Sequence, residues 1–474
     1  MSLQLYNTLT RRKEPFRSLE AGVVRMYNCG PTVYSRPHVG NYRAFLFADV
    51  LRRWLEARGF EVRQVMNITD VGHLTDDVAG EGEDKIEAQA RREKLDPWQI
   101  ARGYEAQFFA DLEALGVRKA QCYPRASEHV PEMLEMIDGL LAKGFAYQVG
   151  GNVYFEVGRF AEYGKLSGNR GEELEAGARI AVNDEKRHPH DFALWKSDPR
   201  HLMKWPTRFG PDGFPGWHIE CSAMAKKHLG EEIDIHTGGE DNIFPHHECE
   251  IAQTESLTGR PFATFWMHSK FLQVDGGKMS KSLGNVWNLD DVRARGFEPR
   301  VLRFALIRAH YRQPLNFTWD ALKDAQSALA SLDDLVVRLR SAVRGVGAAA
   351  EAGAGGELVG AARATFEQGL DDDLNVSRAL PGLFNLRAQV LEGRLGAEAA
   401  RGALEFVKLA DSVLGVIRVE DQLLDADVEQ LIAERQAARK ARDFARADAI
   451  RDELAAQGIA LEDTPQGVVW KRRS

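Results

Sequence analysis

Cysteine is scarce. The 474 residues hold only 4, Cys29, Cys122, Cys221 and Cys249, too few and too scattered for a disulfide framework. What is left to them is metal binding, reactivity or plain burial. Long apolar runs are missing as well, and none could cross a bilayer. The opening residues, MSLQLY, lack the basic start and apolar core of a secretion signal, which gives the expectation of a cytoplasmic protein without a membrane partner. Nor is there a basic excess. A formal charge of -8 excludes a chain that merely coats nucleic acid and confines any RNA contact to a face or a tail. No internal repeat is present. With 44% hydrophobic and 28% charged residues, the balance is that of an ordinary globular chain, long enough for about two to four domains.

Hydrophobic periodicity organises what is there. Val23 to Asn28 reads as a buried strand broken by Cys29-Gly30-Pro31. From His38 to about Arg58 the pattern is helical, with Val50, Leu51, Trp54 and Leu55 on one face and Gly59 as C-cap. Glu61 to Asn67 is a second strand, so the segment is a parallel βαβ unit, whose ligands lie at strand carboxyl ends. Phe145 to Val157 alternates about Gly150-Gly151 as a hairpin, and 183–216 reads as ordered loop. Glu232 to His236 and Phe265 to His268 are further strands, with a helix starting near Pro245. After about Pro299 strand signals stop and amphipathic helices follow, interrupted by the low-complexity stretch 343–356. The last module pairs two charged helices with a turn, a strand and a basic tail. The expected fold is α/β: a Rossmann-like parallel-sheet catalytic domain over 1–300 with an inserted segment at about 120–220, a helical bundle over 301–420, and a small C-terminal α/β module over 421–474.

Three segments carry chemistry. In FPHHECE, His246 and Glu250 are four apart on a helix and point the same way. Cys29 and Cys221 could add two thiolates, and such a set suits zinc. The same residues also fit small buried cysteines and histidines that satisfy local backbone, and spacing alone does not decide. Cys249 could reach the same face, whereas Cys122 has no ligand-type neighbour in the sequence. PHVGN, at a helix start, offers backbone N–H groups, Gly40 for close approach and His38 as a donor to phosphate. In GGKMSKS, Lys278 and Lys281 flank a Met-Ser pair after a glycine turn and could meet a polyphosphate. TGGED adds Gly238 and Gly239 for backbone approach and Asp241 for a hydroxyl or amine.

HVGN with KMSKS resembles the signature of class I aminoacyl-tRNA synthetases. YNCGPTVYSRPHVGNYR, NITD, PGWHIECSAM, GGEDNIFPHHECEIAQ, VDGGKMSKSLGN, DDDLN and the terminal ADAIRDELAAQGIALEDTPQGVVWKR are similar to the cysteinyl-tRNA synthetase family over nearly the whole chain. The resemblance implies a ligase that activates L-cysteine with ATP and transfers it to the 3′-terminal ribose of tRNA(Cys). It implies zinc held by Cys29, Cys221, His246 and Glu250, Mg2+ arriving with ATP, a tRNA-binding role for the bundle over 301–420, an anticodon-binding role for the module over 421–474, and a monomer. It places His38, Asn41, Lys278 and Lys281 in catalysis, and His38, Gly40, Asn41, Gly238, Gly239, Asp241, Lys278, Ser280 and Lys281 around ATP. Thr69 and Asp241 would lie near the amino-acid backbone groups or the ribose, and Trp217 near the substrate side chain, although Trp217 also fits an ordinary core tryptophan. Asn41 stands where the class signature has its second histidine, which removes an imidazole donor. The 72–84 loop is longer than the family's short acidic turn, and His73 in it reads as a surface residue more readily than as a stray ligand. Arg435, Arg439, Lys440, Arg442, Arg446, Arg451 and Lys471, Arg472 and Arg473 could meet tRNA backbone, with Trp470 as a stacker; interleaved acids equally fit a solvated, salt-bridged face. A ligase that joins cysteine to an amino sugar shares the nucleotide and zinc motifs but lacks such a C-terminal module, and a non-catalytic RNA-binding relative would have lost the lysines or the HVGN turn.

Overall fold

A computed structural model describes residues 2–76, 81–169, 185–279, 284–343, 355–419, 425–456, 458–464 and 467–472. The chain forms two compact units, Ser2–Pro299 with Tyr311–Phe317, and Arg300–His310 with Thr318–Ser474.

The first unit is built on a four-stranded parallel sheet. Its strands are β1 (Val23–Asn28), β2 (Glu61–Met66), β3 (Ile233–Gly239) and β4 (Ala263–Ser269), in the order β4-β3-β1-β2. Helix α1 (Val39–Ala57) links β1 to β2, helix α2 (Trp217–Leu229) leads into β3, and α3 (Glu248–Thr258) joins β3 to β4. β1 and β3 run side by side, with Met26 opposite Ile235 and Asn28 opposite Thr237. The strand order reverses at this pair, which makes the crevice beyond its carboxyl ends the natural ligand position in a doubly wound sheet. The expected βαβ unit is therefore present, and Leu46, Val50, Leu51, Trp54 and Leu55 bury its helix face.

The ordered-loop expectation for 183–216 needs correction. Within it, Phe192–Ser197, Trp205–Thr207 and Gly210–Pro215 join the hairpin Ala146–Val149/Asn152–Phe155 in a five-stranded antiparallel sheet. These strands are short and interrupted. Pro206 sits on the edge strand, where its missing N–H costs no ladder bond, and proline and glycine there mimic a loop signature. Strand signal also persists past Pro299, since Leu315–Phe317 pairs in parallel with Leu272–Val274.

In the second unit, Trp319–Val343 buries Leu322, Ala325, Leu329, Leu332, Leu335, Val336 and Leu339 along one stripe. Helices Gly356–Asp371, Val376–Leu391 and Ala397–Leu414 complete the bundle. The DDDLN motif turns the chain between the first two of these, with Asp373 and Leu374 at φ 63 and 53 and the Asp373 carboxylate 3.5 Å from His310. Most of the 343–356 connection lies outside the described residues. At the end of the chain, helices Asp425–Lys440 and Phe444–Ala456 pack with a hairpin, Ile459–Thr464/Gly467–Arg472, so two strands stand where the sequence suggested one. Among the described residues, no helix is long and apolar enough to cross a membrane.

Candidate active site and metal centre

The turn after β1, the first turn of α2 and the entry to α3 meet at the β1/β3 switch point. Ligand atoms of Cys29, Cys221, His246 and Glu250 all lie within 4.8 Å of one another. Cys29 leaves β1 and donates its backbone N–H to Thr237 O on β3 (3.0 Å). Cys221 is buried on α2. The approach to α3 is kinked at Phe244, which is extended (φ −141, ψ 133) as suits a residue before proline, and helical turn resumes at Pro245, where the sequence placed a helix start. Regular helix begins at Glu248. The four-residue spacing still brings His246 Nε2 to 3.0 Å from Glu250 Oε1.

These residues fit a soft divalent metal. Two thiols, an imidazole and a carboxylate are a zinc-type donor set. Glu250 Oε1 is buried against the imidazole nitrogens of His246 (3.0 Å) and His247 (3.9 Å), neither of them in good hydrogen-bond geometry, and a cation would satisfy it. Burial pushes the Cys221 thiol well up, and the neighbouring Cys29 and Glu250 add to this. Burial also raises the Cys29 thiol, against the hydrogen bond from Cys221. Burial alone would raise the Glu250 carboxyl, but His236 and His246 outweigh it and hold it down to about 2. His246 shows the converse: burial lowers it, and Glu250 and Cys221 lift it to about 10.

Further histidines surround this group. His236 Nε2 is 2.8 Å from Glu250 Oε2, and His247 Nε2 is 3.0 Å from Cys29 Sγ. Cys29, His236, His247 and Glu250 form a second overlapping set within the same 4.8 Å limit. His247 Nδ1 meets His268 Nε2 at 2.8 Å, and His268 Nδ1 meets Thr8 Oγ1 at 2.8 Å. Sequence reasoning passed over His236 as one more strand residue; the available signal was a polar side chain within the buried run Ile233–Thr237. Cys249 is not part of the group; its sulfur lies 3.5 Å from Tyr163 OH. Cys122 does have a ligand-type neighbour, His228 Nδ1 at 3.8 Å, distant in sequence.

Trp217, at the first position of α2, is not an ordinary core residue. Its indole is stacked between His246 and His73, with ring centroids 4.2 Å away on either side. His73 is accordingly buried rather than on the surface. Lys85 Nζ donates to its Nε2 (2.8 Å), which leaves Nδ1–H to donate to Thr32 Oγ1 (2.6 Å). Thr69 is buried, and its hydroxyl is bound to Glu220 Oε2 (2.9 Å).

The nucleotide motifs converge nearby. His38 is the N-cap of α1: its Nδ1 accepts from Asn41 N (3.3 Å), and Asn41 Oδ1 accepts from His38 N (3.1 Å). This capping box fixes the neutral ring with its proton on Nε2. Asn41 thus serves as the reciprocal cap. A Cβ at Gly40 would stand 2.9 Å from Met279 Cε, so the glycine allows the KMSKS segment to approach the helix start. Val39 N donates to Trp287 O (2.9 Å), and Arg36 pairs with both Asp111 (2.6 Å) and Asp290, so the stretch that follows that segment is held to the same turn. The backbone of Lys278 pairs with Gln273, while Ser280 and Lys281 and the Lys278 side chain lie outside the described features. Gly238 and Gly239 end β3 opposite His268 and Ser269, and Asp241 is exposed in the turn that follows.

Residues 15–327 match the family described as tRNA synthetases class I (C) catalytic domain, and 421–470 match the cysteinyl-tRNA ligase anticodon binding domain. The cysteine–tRNA ligase of Symbiobacterium thermophilum is 47% identical over 485 residues, 100% of both chains. That of Chlorobaculum tepidum is 44% identical over 499 residues, 100% of this chain and 99% of the other. The chain belongs to the cysteine–tRNA ligase family. It is a ligase of the class I aminoacyl-tRNA synthetase type, and the family match over 421–470 separates it from activating enzymes without a tRNA module. Methionyl-tRNA synthetase of Mycobacterium tuberculosis, solved with methionyl-adenylate, shares the fold with a TM-score of 0.63 at 16% identity, over 84% of this chain and 92% of that one.

In the family's anticodon-binding segment, the interleaved acids do pair. Arg446 meets Glu434 (3.2 Å), and Arg451 meets Asp448 (3.0 Å) and Asp452 (2.9 Å). Trp470 packs on the cluster of Val428, Ile432, Ile450, Leu454 and Ile459 and donates to Glu429 Oε1 (2.9 Å).

Proposed function

We propose that this chain charges tRNA(Cys) with L-cysteine in two steps and selects cysteine through a zinc ion held by Cys29, Cys221, His246 and Glu250. The observation that carries the reading is the convergence of those four donors at the switch point of the parallel sheet. When bound, zinc supplies a soft acceptor for a substrate thiolate that a serine hydroxyl cannot match. Serine and cysteine are nearly isosteric, so pocket size cannot separate them, and donor softness can.

In the first step the cysteine carboxylate attacks the α-phosphorus of ATP and pyrophosphate leaves. The carboxylate is already a nucleophile at neutral pH, so the enzyme supplies position and charge stabilisation. His38 Nε2–H and the start of α1 stabilise charge on the phosphate, with Gly40 and Asn41 keeping that turn in place. Lys278 and Lys281, with Ser280, hold the departing pyrophosphate, and Mg2+ accompanies ATP as part of that substrate. Gly238, Gly239 and Asp241 line the nucleotide side, and Trp217 faces the amino acid. In the second step the 2′-hydroxyl of the terminal tRNA ribose attacks the activated carbonyl and AMP leaves. The reading includes a cytoplasmic monomer.

The test is charging of a tRNA pool with labelled cysteine and, in parallel, serine, each with ATP. Cysteine on tRNA without serine is the expected result. ATP consumption with an uncharged pool would overturn the acceptor, and equal charging of serine would overturn metal-based selection.

A further inference from the structure

Cys29 and Cys221 sit on separate elements, the turn after β1 and the first turns of α2, and nothing in either element alone fixes their separation. A line of buried side chains joins their immediate neighbours. Gly30 N donates to Asn67 Oδ1 (2.8 Å), Asn67 Nδ2 to Thr69 Oγ1 (3.1 Å), and the Thr69 hydroxyl to Glu220 Oε2 (2.9 Å). Gly30 follows Cys29, and Glu220 precedes Cys221.

The bonds run one way along the line. A backbone N–H can only donate, so the amide of Asn67 must present its oxygen to Gly30 and its nitrogen to Thr69. The hydroxyl has one proton, which goes to Glu220. All three links therefore point toward the carboxyl group and polarise one another. The backbone closes on the same contact: a Cβ at Gly30 would lie 1.7 Å from Asn67 O, so no side chain is tolerated where the turn meets Asn67. Asn67 and Thr69 are 2% exposed and Glu220 is 0% exposed. The other Glu220 oxygen, Oε1, is buried without a hydrogen-bond partner. A buried carboxyl with one oxygen satisfied is a costly choice for stability alone.

We propose that Asn67, Thr69 and Glu220 are positioning residues that set the distance between the Cys29 and Cys221 thiols and hence the affinity of the site for its metal. The proposal rests on the zinc reading above. Outer residues that orient metal ligands change affinity by about 10–100-fold when removed.

The experiment loads the full chain with Co2+, whose near-ultraviolet charge-transfer absorption reports thiolate ligation, and follows its release to a chelator. Thr69→Val removes the hydroxyl at constant shape, and Thr69→Ser keeps it. Val is expected to release metal about 10–100-fold faster with an altered charge-transfer band, and Ser to resemble the wild type. The KM for cysteine in Thr69→Val should recover at saturating metal. A Val variant with wild-type metal release and spectrum but a raised KM would overturn the bridge and make Thr69 a direct substrate contact. A wild-type protein without a thiolate band would instead remove the zinc reading, and the bridge with it. Should Thr69→Val lose its fold by near-ultraviolet circular dichroism, Glu220→Gln and Glu220→Leu read the same link. Gln keeps an acceptor oxygen and should hold metal, Leu should not, and equal behaviour of the two overturns the proposal.

Discussion

Asp84, Glu87 and His201 meet as three buried ionisable side chains, with His201 Nε2 3.5 Å from Asp84 and Nδ1 3.2 Å from Glu87. Burial pulls the imidazole down, but the hydrogen bond and charge of Asp84, with the charge of Glu87, outweigh it and leave His201 above its ordinary value. A raised folded value means that the stabilisation is complete below the unfolded value of about 6.5 and fades as pH rises through the folded value. Thermal melts at about pH 6 and about pH 8.5 should show the wild type losing more stability over that interval than His201→Gln. At the proposed metal group, Cys29→Ser and Cys221→Ser should each lower metal content and cysteine charging by at least about 100-fold while the fold persists; metal analysis with near-ultraviolet circular dichroism checks both. Residues of this kind were legible when chemistry and spacing agreed. His246 and Glu250 are one helical turn apart, and Cys29 stands beside a phosphate-type turn. Glu220, 151 positions from Thr69, and His228, 106 from Cys122, were not, because only the folded chain brings them together.

Elements were readable where one signal dominated. The strand–helix–strand run from Val23 to Met66 has an apolar strand, a capped helix and a closing glycine, each naming the same structure. The inserted sheet was hidden because its strands carry the residues of turns. A different kind of information sits in α1. Arg43 is 2% exposed, and its guanidinium donates to the carbonyls of Lys270 (3.1 Å), Phe271 (3.0 Å), Tyr311 (3.4 Å) and Gln313. Burial holds it down to about 10. It ties the helix that begins at His38 to the strand that leads to Lys278. Arg43→Met should cost about 2–4 kcal/mol in urea unfolding, because several buried carbonyls lose their donor at once. It should also slow ATP–pyrophosphate exchange, with Arg43→Lys intermediate in both.

At the scale of the molecule, one compact unit holds the sheet and its four donors and the other holds the bundle and the C-terminal hairpin. The change from strand to helix patterning near Pro299 was visible in the sequence, and the short return of Leu315–Phe317 to a sheet was not, since three residues carry too little periodicity. Division of labour predicts separable losses. A chain lacking residues 421–474 should retain ATP–pyrophosphate exchange with cysteine and lose tRNA charging by on the order of 100-fold, equivalent to about 2.7 kcal/mol of tRNA contact. Parallel exchange and charging assays decide it: equal loss of both would mean that the terminal module supports the fold rather than the tRNA.

The sandwich of Trp217 between His73 and His246 also makes the protein its own optical gauge. On the zinc reading proposed above, an indole in face-to-face contact with the His246 imidazole changes its emission when that imidazole takes up an ion. Occupancy of the centre can then be followed by light, without substrate or label, during zinc titration. The chain has 9 tryptophans, so the signal is the part that disappears in Trp217→Phe.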